Sequence, residues 1–313
     1  MITELTSTRA NPLVDPSLHV WGWPVPVYLF LGGLVAGMMV LAGTFLLGGR
    51  ARRADCVCFV LPGLGLLLLS LGMGALFLDL EHRLFAWRLY TTFQVASPMS
   101  WGAWILVLVY PALLANLVLR VPAGLRRTLP ALGAWSDRLT AVPGADRAIG
   151  GVNLTLGVML GIYTGVLLGA LGARPLWSSA LLGPLFLVSG LSSAAALVHL
   201  VARDPGEREL LARADNGFLA AELVLIALFF IGLGTASRVH IQAAGLFFGG
   251  PFTAVFWVGV VGLGILLPLL AQGLALRHRI AHTPVAPLLV LAGGVLLRFV
   301  IVLAGQLSHW TPA

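Results

Sequence analysis

Side chains that can hold or move a proton fall within long apolar stretches of this sequence, among them Glu222, Arg298, His199 and Tyr163. Ionisable groups inside a membrane are costly, and each is a functional hypothesis by default. A carboxyl there must be protonated, paired or hydrated, which makes Glu222 the most demanding of the set. A second group, His19, Asp79 and His82, stands at the edges of apolar stretches. Phenol and imidazole can donate to a carbonyl oxygen, and a carboxyl behind them can carry protons. Asn116, Asn153, Thr155 and Gln272 add neutral polar groups that extend a route from one face towards the other. Structural readings stand beside each of these. The amides can be interhelical hydrogen bonds. Arg298 can snorkel outward, His199 can be a helix-terminal histidine near Arg203, and Glu222 can pair with an arginine on another helix.

The elements that position these groups follow from composition. The chain is 59% hydrophobic and 10% charged, with a mean hydropathy of +0.97, far from the usage of a soluble domain. Eight apolar runs reach the roughly 20 residues that a helix needs to cross the hydrocarbon core. They lie at 24–48, 57–78, 98–120, 151–172, 178–202, 217–235, 252–276 and 284–304. Backbone in lipid must satisfy its own hydrogen bonds, so the runs are helices. The expected fold is an all-α integral membrane protein with eight transmembrane helices in two four-helix bundles, 1–172 and 173–313.

All 19 basic residues are arginine. Arg50, Arg52, Arg53, Arg126, Arg127, Arg138, Arg147, Arg203, Arg208, Arg213, Arg277 and Arg279 fall in alternate connections, with Arg120 at the same boundary. Only Arg9, Arg83, Arg88, Arg174 and Arg238 fall on the other side. The positive-inside rule places the first set in the cytoplasm and both termini outside. The formal charge of +7 is therefore topological, and no nucleic-acid partner is expected. On these boundaries Glu222 lies about 8 Å from the inner edge and Arg298 about 9 Å from the outer one, so direct pairing between them is not expected. Instead Glu222, with His199 as relay, is expected to lie on a proton route from the cytoplasm.

Cys56 and Cys58, one residue apart, cannot complete a tetrahedral metal site or a cubane cluster. Residues 1–20 lack the apolar core of a cleavable signal peptide. Haem b would need two facing membrane histidines, and only His199 lies within a run, so neither haem nor an iron–sulfur cluster is expected.

Between the second and third runs lies the polar, aromatic segment Asp79–Trp104, with Glu81, His82, Arg83 and Arg88 beside Phe85, Trp87, Tyr90 and Trp101. Such a mixture suits a membrane–water boundary and can also roof a ligand or give a partner a docking face. In the first helix Gly33 and Gly37 are spaced for close helix packing. Residues 121–150 suggest a short helix on the inner leaflet, interrupted at Pro130.

Four stretches carry a family resemblance: HVWGWPVPVYLFLGGLVAG, the DLEHRLFAWRL and SPMSWGAW pair, GIYTGVLLGAL followed by PLW, and the terminal GGVLLRFVIVLAGQ. From about Pro24 to Gln306 the chain resembles the NrfD/polysulfide-reductase membrane subunits. That resemblance implies a haem-free, non-autonomous subunit of the bacterial cytoplasmic (inner) membrane that exchanges electrons between the quinone pool and a partner. Its cofactor would be an exchangeable menaquinone or ubiquinone. Its partners would be a ferredoxin-like iron–sulfur subunit on the outer face and a molybdopterin-type or other catalytic subunit, besides membrane lipid. Tyr163 is similar to a quinone-bonding tyrosine, and His19 occupies a place like that of a second headgroup contact. Asp79 and His82 match the polar turn after the second helix. Glu222 and Arg298 match intramembrane positions of proton transfer or charge balance. The rival readings are a secondary transporter, against which no pair of broken helices stands in corresponding halves, and a purely structural membrane anchor.

Overall fold

The computed structural model describes residues 21–48, 59–119, 121–170, 174–202, 204–276 and 284–310. Among them, eight helices are long and apolar enough to cross a membrane. In chain order the helical elements are α1 (Pro24–Leu47), α2 (Leu61–Asp79), the one-turn α3 (Arg88–Thr91), α4 (Pro98–Leu119), α5 (Ala123–Thr128) and α6 (Pro130–Thr140). They continue with α7 (Ala145–Ala170), α8 (Leu182–Val201), α9 (Pro205–Thr235), α10 (Arg238–Gly245), a π-helical stretch (Val255–Leu266) running into α11 (Leu267–Leu276), and α12 (Val285–Leu307). The spanning helices are α1, α2, α4, α7, α8, α9, the π/α11 pair and α12. This is an all-α, multi-pass membrane protein, as composition implies.

Two helices begin well before the apolar runs that announced them. The sixth span starts at Pro205 rather than 217, because Asp204 Oδ2 accepts from the Glu207 N–H at 2.9 Å and Pro205 presets the first turn. Arg213 and Glu209 then pair one turn apart on its polar stem. The fourth starts at Ala145, with Asp146 in its first turn, where a negative charge favours the helix dipole. Pro130 opens α6 instead of breaking one long surface helix: α5 and α6 fold back on each other, held by Arg126 to Asp137 at 2.6 Å and to Ser136 at 2.8 Å.

The two ends of the bundle differ in chemistry. At one end the chain before α1 meets the end of α12 through paired bonds between the Trp21 backbone and the Gln306 amide, at 3.0 and 2.9 Å. Trp21 stacks on Trp177, whose indole N–H donates to Ile301 O at 3.0 Å. Buried Arg174 closes the same corner by donating to Ser308 O at 2.9 Å. Phe230, Phe247, Phe256 and Trp257 interlock there as well. Trp135 apart, the tryptophans gather at this aromatic end, whereas Arg126, Arg127, Arg138, Arg208 and Arg213 lie at the other.

Packing is continuous through the middle. Helix α1 packs against α2, α7, α8 and α12, and α8 against α7, α9 and α12. Lipid gives helices no hydrophobic reason to associate, so close backbone approach has to supply the contact. Between α1 and α8 it does. A Cβ on Gly37 would overlap the Gly190 carbonyl, and a Cβ on Gly190 would overlap that of Gly33. Gly33 and Gly37 thus serve the packing role that their spacing suggested. Gly190→Ala is therefore expected to cost about 1–3 kcal/mol, seen as a lower melting temperature in detergent. Gly232→Ala, whose added methyl meets nothing within 4 Å, should leave melting unchanged or raise it slightly. Equal melting of the two variants would show that the α1–α8 contact does not hold the bundle.

Candidate functional site

The interior polar groups converge on α8. Its Ser189, Ser192 and Ser193 are all buried, one helical turn of hydroxyls facing α9 and α12. Arg298, on α12, is fully buried. Its Nη1 donates to Ser189 Oγ and to Gly294 O at 3.2 Å, and its Nη2 to Phe186 O at 2.9 Å. The guanidinium also lies over the Phe186 ring at 4.9 Å, a contact strengthened by the absence of water. Ser189 also stands beside the buried Glu222 carboxyl on α9, and the charges of Glu222 and Arg298 act on each other. Among the described residues the two make no direct ion pair; the serine stands between them. Space for the guanidinium comes from α1, where a Cβ on Gly33 would lie 3.2 Å from Nη2.

This corrects the expected depths. Glu222 and Arg298 share one level of the bundle because α9 starts twelve residues earlier than 217, which carries its polar stem outward and Glu222 deeper. The same correction brings in a residue that sequence reasoning assigned to a connecting loop. Asp215 sits two helical turns before Glu222, on the same face, and is 1% exposed. Ser192 Oγ donates to its Oδ1 at 2.6 Å and Gln272 Nε2 to its Oδ2 at 2.8 Å. An acid seven residues before Glu222 was the signal, hidden by Arg213 and Asn216 beside it. His199 lies elsewhere, buried at the arginine-rich end of α8 and about 15 Å along the axis from Ser189. Asn116 and Asn153 are buried between helices, and Asn153 donates across to Ala112 O at 3.3 Å.

A second constellation lies towards the aromatic end. Tyr163, on α7, is buried and presses its phenol tip onto Gly102 of α4, where a Cβ would overlap both Cζ and Oη. Tyr28, on α1, is within electrostatic reach of both Tyr163 and Tyr90, and Tyr90 of Tyr110. Tyr110 shares a 3.2 Å hydroxyl contact with Ser70. All 4 tyrosines of the chain thus form one array between α1, α2, α4 and α7. Tyr90 enters it from the segment between α2 and α4, on α3, and burial followed by the nearby Tyr110 pushes its phenol pKa up.

Asp79 and His82 do not join the phenols directly. Gly72 neighbours Tyr28, and Asp79 is two turns farther along α2, about 10 Å nearer the surface. Both line an open cleft of about 540 Å³ formed by residues 78–85, beside which Arg83 Nη2 is tied to Leu78 O at 2.7 Å. His19 lies outside the described residues. Above the array the segment presents an apolar face: Leu84 is 88% exposed, with Phe85, Trp87, Phe93, Val95 and Met99 exposed around it. Arg88 stacks over Phe85 at 4.6 Å, and the Trp101 indole N–H is anchored to Val95 O at 2.7 Å.

Fold and site together define a multi-pass helical membrane protein with a buried charge cluster, a phenol array and an exposed aromatic segment. The family model described as polysulphide reductase, NrfD, matches residues 11–309. The chain is 32% identical over 306 residues to Protein NrfD of Escherichia coli (strain K12), covering 92% of this chain and 96% of that protein. It is 31% identical over 304 residues to a polysulfide reductase chain of Wolinella succinogenes, covering 92% and 94%. Over 169 residues it is 31% identical to a selenate reductase subunit of Mesobacillus selenatarsenatis, covering 51% of this chain and 39% of that one. The chain belongs to the polysulphide reductase NrfD family.

The charge cluster makes a stability prediction. Ser189→Ala removes the hydroxyl between Arg298 and Glu222 and leaves buried charge underpaired, which should cost about 1–3 kcal/mol. Ser189→Thr keeps the hydroxyl and should recover part of that loss. Thermal melting in detergent reads both; an alanine variant as stable as the native chain would mean that the serine does not bridge the pair.

Proposed function

We propose that this chain is the quinone-reactive membrane subunit of a bacterial oxidoreductase complex, exchanging electrons between the quinone pool and an iron–sulfur partner that docks on the aromatic end. The observation that carries this reading is the position of Tyr163: a phenol held against Gly102, within an array of phenols and beneath an exposed aromatic face. Family membership and the likeness to the polysulfide and selenate reductase proteins support it.

The residues fit a quinone headgroup. Phenols of Tyr163, Tyr28 and Tyr90 supply donors at the headgroup level, while Leu160, Leu106 and Val109 supply dry apolar walls beside Tyr163. A bound menaquinone or ubiquinone would supply two-electron, two-proton redox chemistry. Tyr163 would donate its hydroxyl to a carbonyl oxygen and so favour the form that carries charge there. Gly102 would fix that hydroxyl in place, since any side chain at 102 displaces the phenol. His82 and Asp79, at the open cleft, would exchange protons with outer water, and His19 would make a second headgroup contact. Glu222 and Arg298 would balance charge and carry protons towards the array, with His199 at the inner end.

The apolar face around Leu84, Phe85, Trp87 and Phe93 supports the docking assignment, because exposed apolar area of this kind marks an interaction surface. Arg88 at its centre, stacked on aromatic rings, gives an acidic partner a charged contact. The cytoplasmic side is assigned to the arginine-rich end by charge bias, which leaves both termini and the aromatic end outside, on the inner membrane's outer face.

Two outcomes test this. Tyr163→Phe retains the ring and loses one donor, so quinone-linked turnover of the whole complex should fall about 2- to 12-fold, the equivalent of about 0.5–1.5 kcal/mol, with assembly intact. Unchanged quinone kinetics would move the headgroup away from Tyr163. For orientation, reporter fusions after Arg127 and at the C-terminus should give opposite signals; the same signal from both would refute the assigned topology.

A further inference from the structure

The bundle holds a second buried carboxyl for which the quinone chemistry has no use. Asp215 receives one neutral donor on each oxygen, Ser192 from α8 and Gln272 from α11. Among the described residues no cation stands within ion-pairing distance of it, and the charge that acts on it is Glu222, of the same sign. Two neutral hydrogen bonds do not replace the hydration of a carboxylate in such a place.

The surroundings point the same way independently. Gln272 is 2% exposed, and its Oε1 has no hydrogen-bond partner although its Nε2 is bonded to Asp215. Asn216 Oδ1 and Ser193 Oγ, on the neighbouring positions of α9 and α8, are also buried and unpartnered. Gln272 Oε1 and Asn216 Oδ1 are acceptors alone, and buried polar groups left in that condition call for an absent partner. One proton on Asp215 corrects both faults, removing the charge and adding a donor. A half-turn of the Gln272 amide then sets Oε1 opposite the protonated oxygen, a pairing that an ionised carboxyl cannot make. Gln272 thus has a bonded arrangement for each protonation state.

We propose that Asp215 is an exchangeable proton-binding site that passes its proton to Glu222 along the serine edge of α8. Once the Ser192 hydroxyl, which donates to Oδ1 of the ionised carboxyl, turns towards Ser189, a proton carried on Oδ1 passes to Ser192 Oγ as Ser192 releases its own. Ser189, one turn away and beside Glu222, repeats the exchange and delivers a proton to the Glu222 carboxylate. No electron moves and no bond other than O–H changes. Cβ atoms one turn apart are about 5–6 Å from each other, a gap that one bridging water closes. The groups facing this route are Ser192, Ser193 and, two turns on, His199 from α8; Gln272 from α11; Arg298 from α12, held by Ser189; and Glu222 on α9 itself. The transfer to Glu222 rests on reading that residue as a proton carrier, whereas proton binding at Asp215 is independent of the quinone assignment.

Infrared difference spectroscopy of the full-length protein in lipid, in H2O and in D2O, tests the site. At neutral pH the native protein should show a protonated-carboxyl band that shifts in D2O and disappears in Asp215→Asn, while Tyr163→Phe retains it. Ser192→Ala should move the band without abolishing it, which guards against a failure of Asp215→Asn to fold. In proteoliposomes holding the whole complex, Asp215→Asn should slow the quinone-linked build-up of membrane potential roughly 100-fold. No band differing between native and Asp215→Asn across mildly acidic to mildly alkaline pH would overturn the proposal. So would a band removed by sodium at constant pH, which would make the bound cation sodium. A normal potential with the band lost would overturn the transfer step. Loss of quinone kinetics in Tyr163→Phe, with the band unchanged, would bear on the quinone site alone.

Discussion

A charge enclosed in hydrocarbon has to be answered from within the protein, and here one helix does most of the answering. Arg298 takes a hydroxyl and a main-chain carbonyl from α8, Glu222 stands beside that same hydroxyl, and Asp215 takes a further one. Removing any one of these serines would leave a buried polar group or charge short of a partner, at a cost comparable to a large share of a protein's net stability. The position of α8 is therefore constrained more tightly than apolar packing alone would require. That position is set by backbone contact with α1, where Gly33, Gly37 and Gly190 remove the side chains that would hold the helices apart. The same absence of a side chain at Gly33 admits the Arg298 guanidinium. Packing and electrostatics are thus satisfied by one crossing point, and neither can be altered there without the other.

The number, polarity and approximate placement of the spanning helices were legible in the sequence, because each is a long apolar run between polar connections. The beginnings of α7 and α9 were not, since their first turns are polar and stand beyond the apolar run. Caps and dipoles start a helix where hydropathy does not. That error had a chemical consequence: it put Asp215 in a loop and gave Glu222 a depth different from that of Arg298. Tertiary packing, which brings Ser189 between the two, leaves no trace in hydropathy. Tyr163 could be named from its motif, but Gly102 beneath its hydroxyl could not, because nothing in SPMSWGAW says which helix its glycine faces. The phenol array is similarly a product of packing, since its members are far apart in sequence and lie on four separate elements.

The π-helical stretch before α11 shows how local sequence and site geometry are linked. Pro268 has no N–H to give, and one residue earlier Leu267 reaches back to Gly262 O, so the wider turn precedes the proline that would otherwise break the helix. Its glycine face also lets Gly264 lie against the Gly293 backbone of α12. The register that follows sets where Gln272 emerges on α11, four residues beyond Pro268 and on the side that meets Asp215. An unusual backbone far from the ionisable groups thereby aims one of the few amides that reach them.

The two constellations are neighbours, and α1 measures the distance between them. Tyr28 belongs to the phenol array and Gly33 to the wall around Arg298; five residues of helix separate them, about 7.5 Å of rise. Between lie apolar side chains such as Leu29, fully buried, so the intervening medium screens charge poorly. On the proposed reading, a headgroup gaining electrons beside Tyr163 places new negative charge within range of Arg298 and Glu222. Coulomb interactions over such a distance remain substantial at the effective dielectric of a protein interior, whereas water would reduce them severalfold. Reduction at the array and proton affinity at the cluster are then linked by electrostatics without any change of fold. The arginine, fixed by Ser189, Gly294 and Phe186, can respond to that charge only by a change in protonation around it, and Glu222 is the titratable group that stands beside its serine.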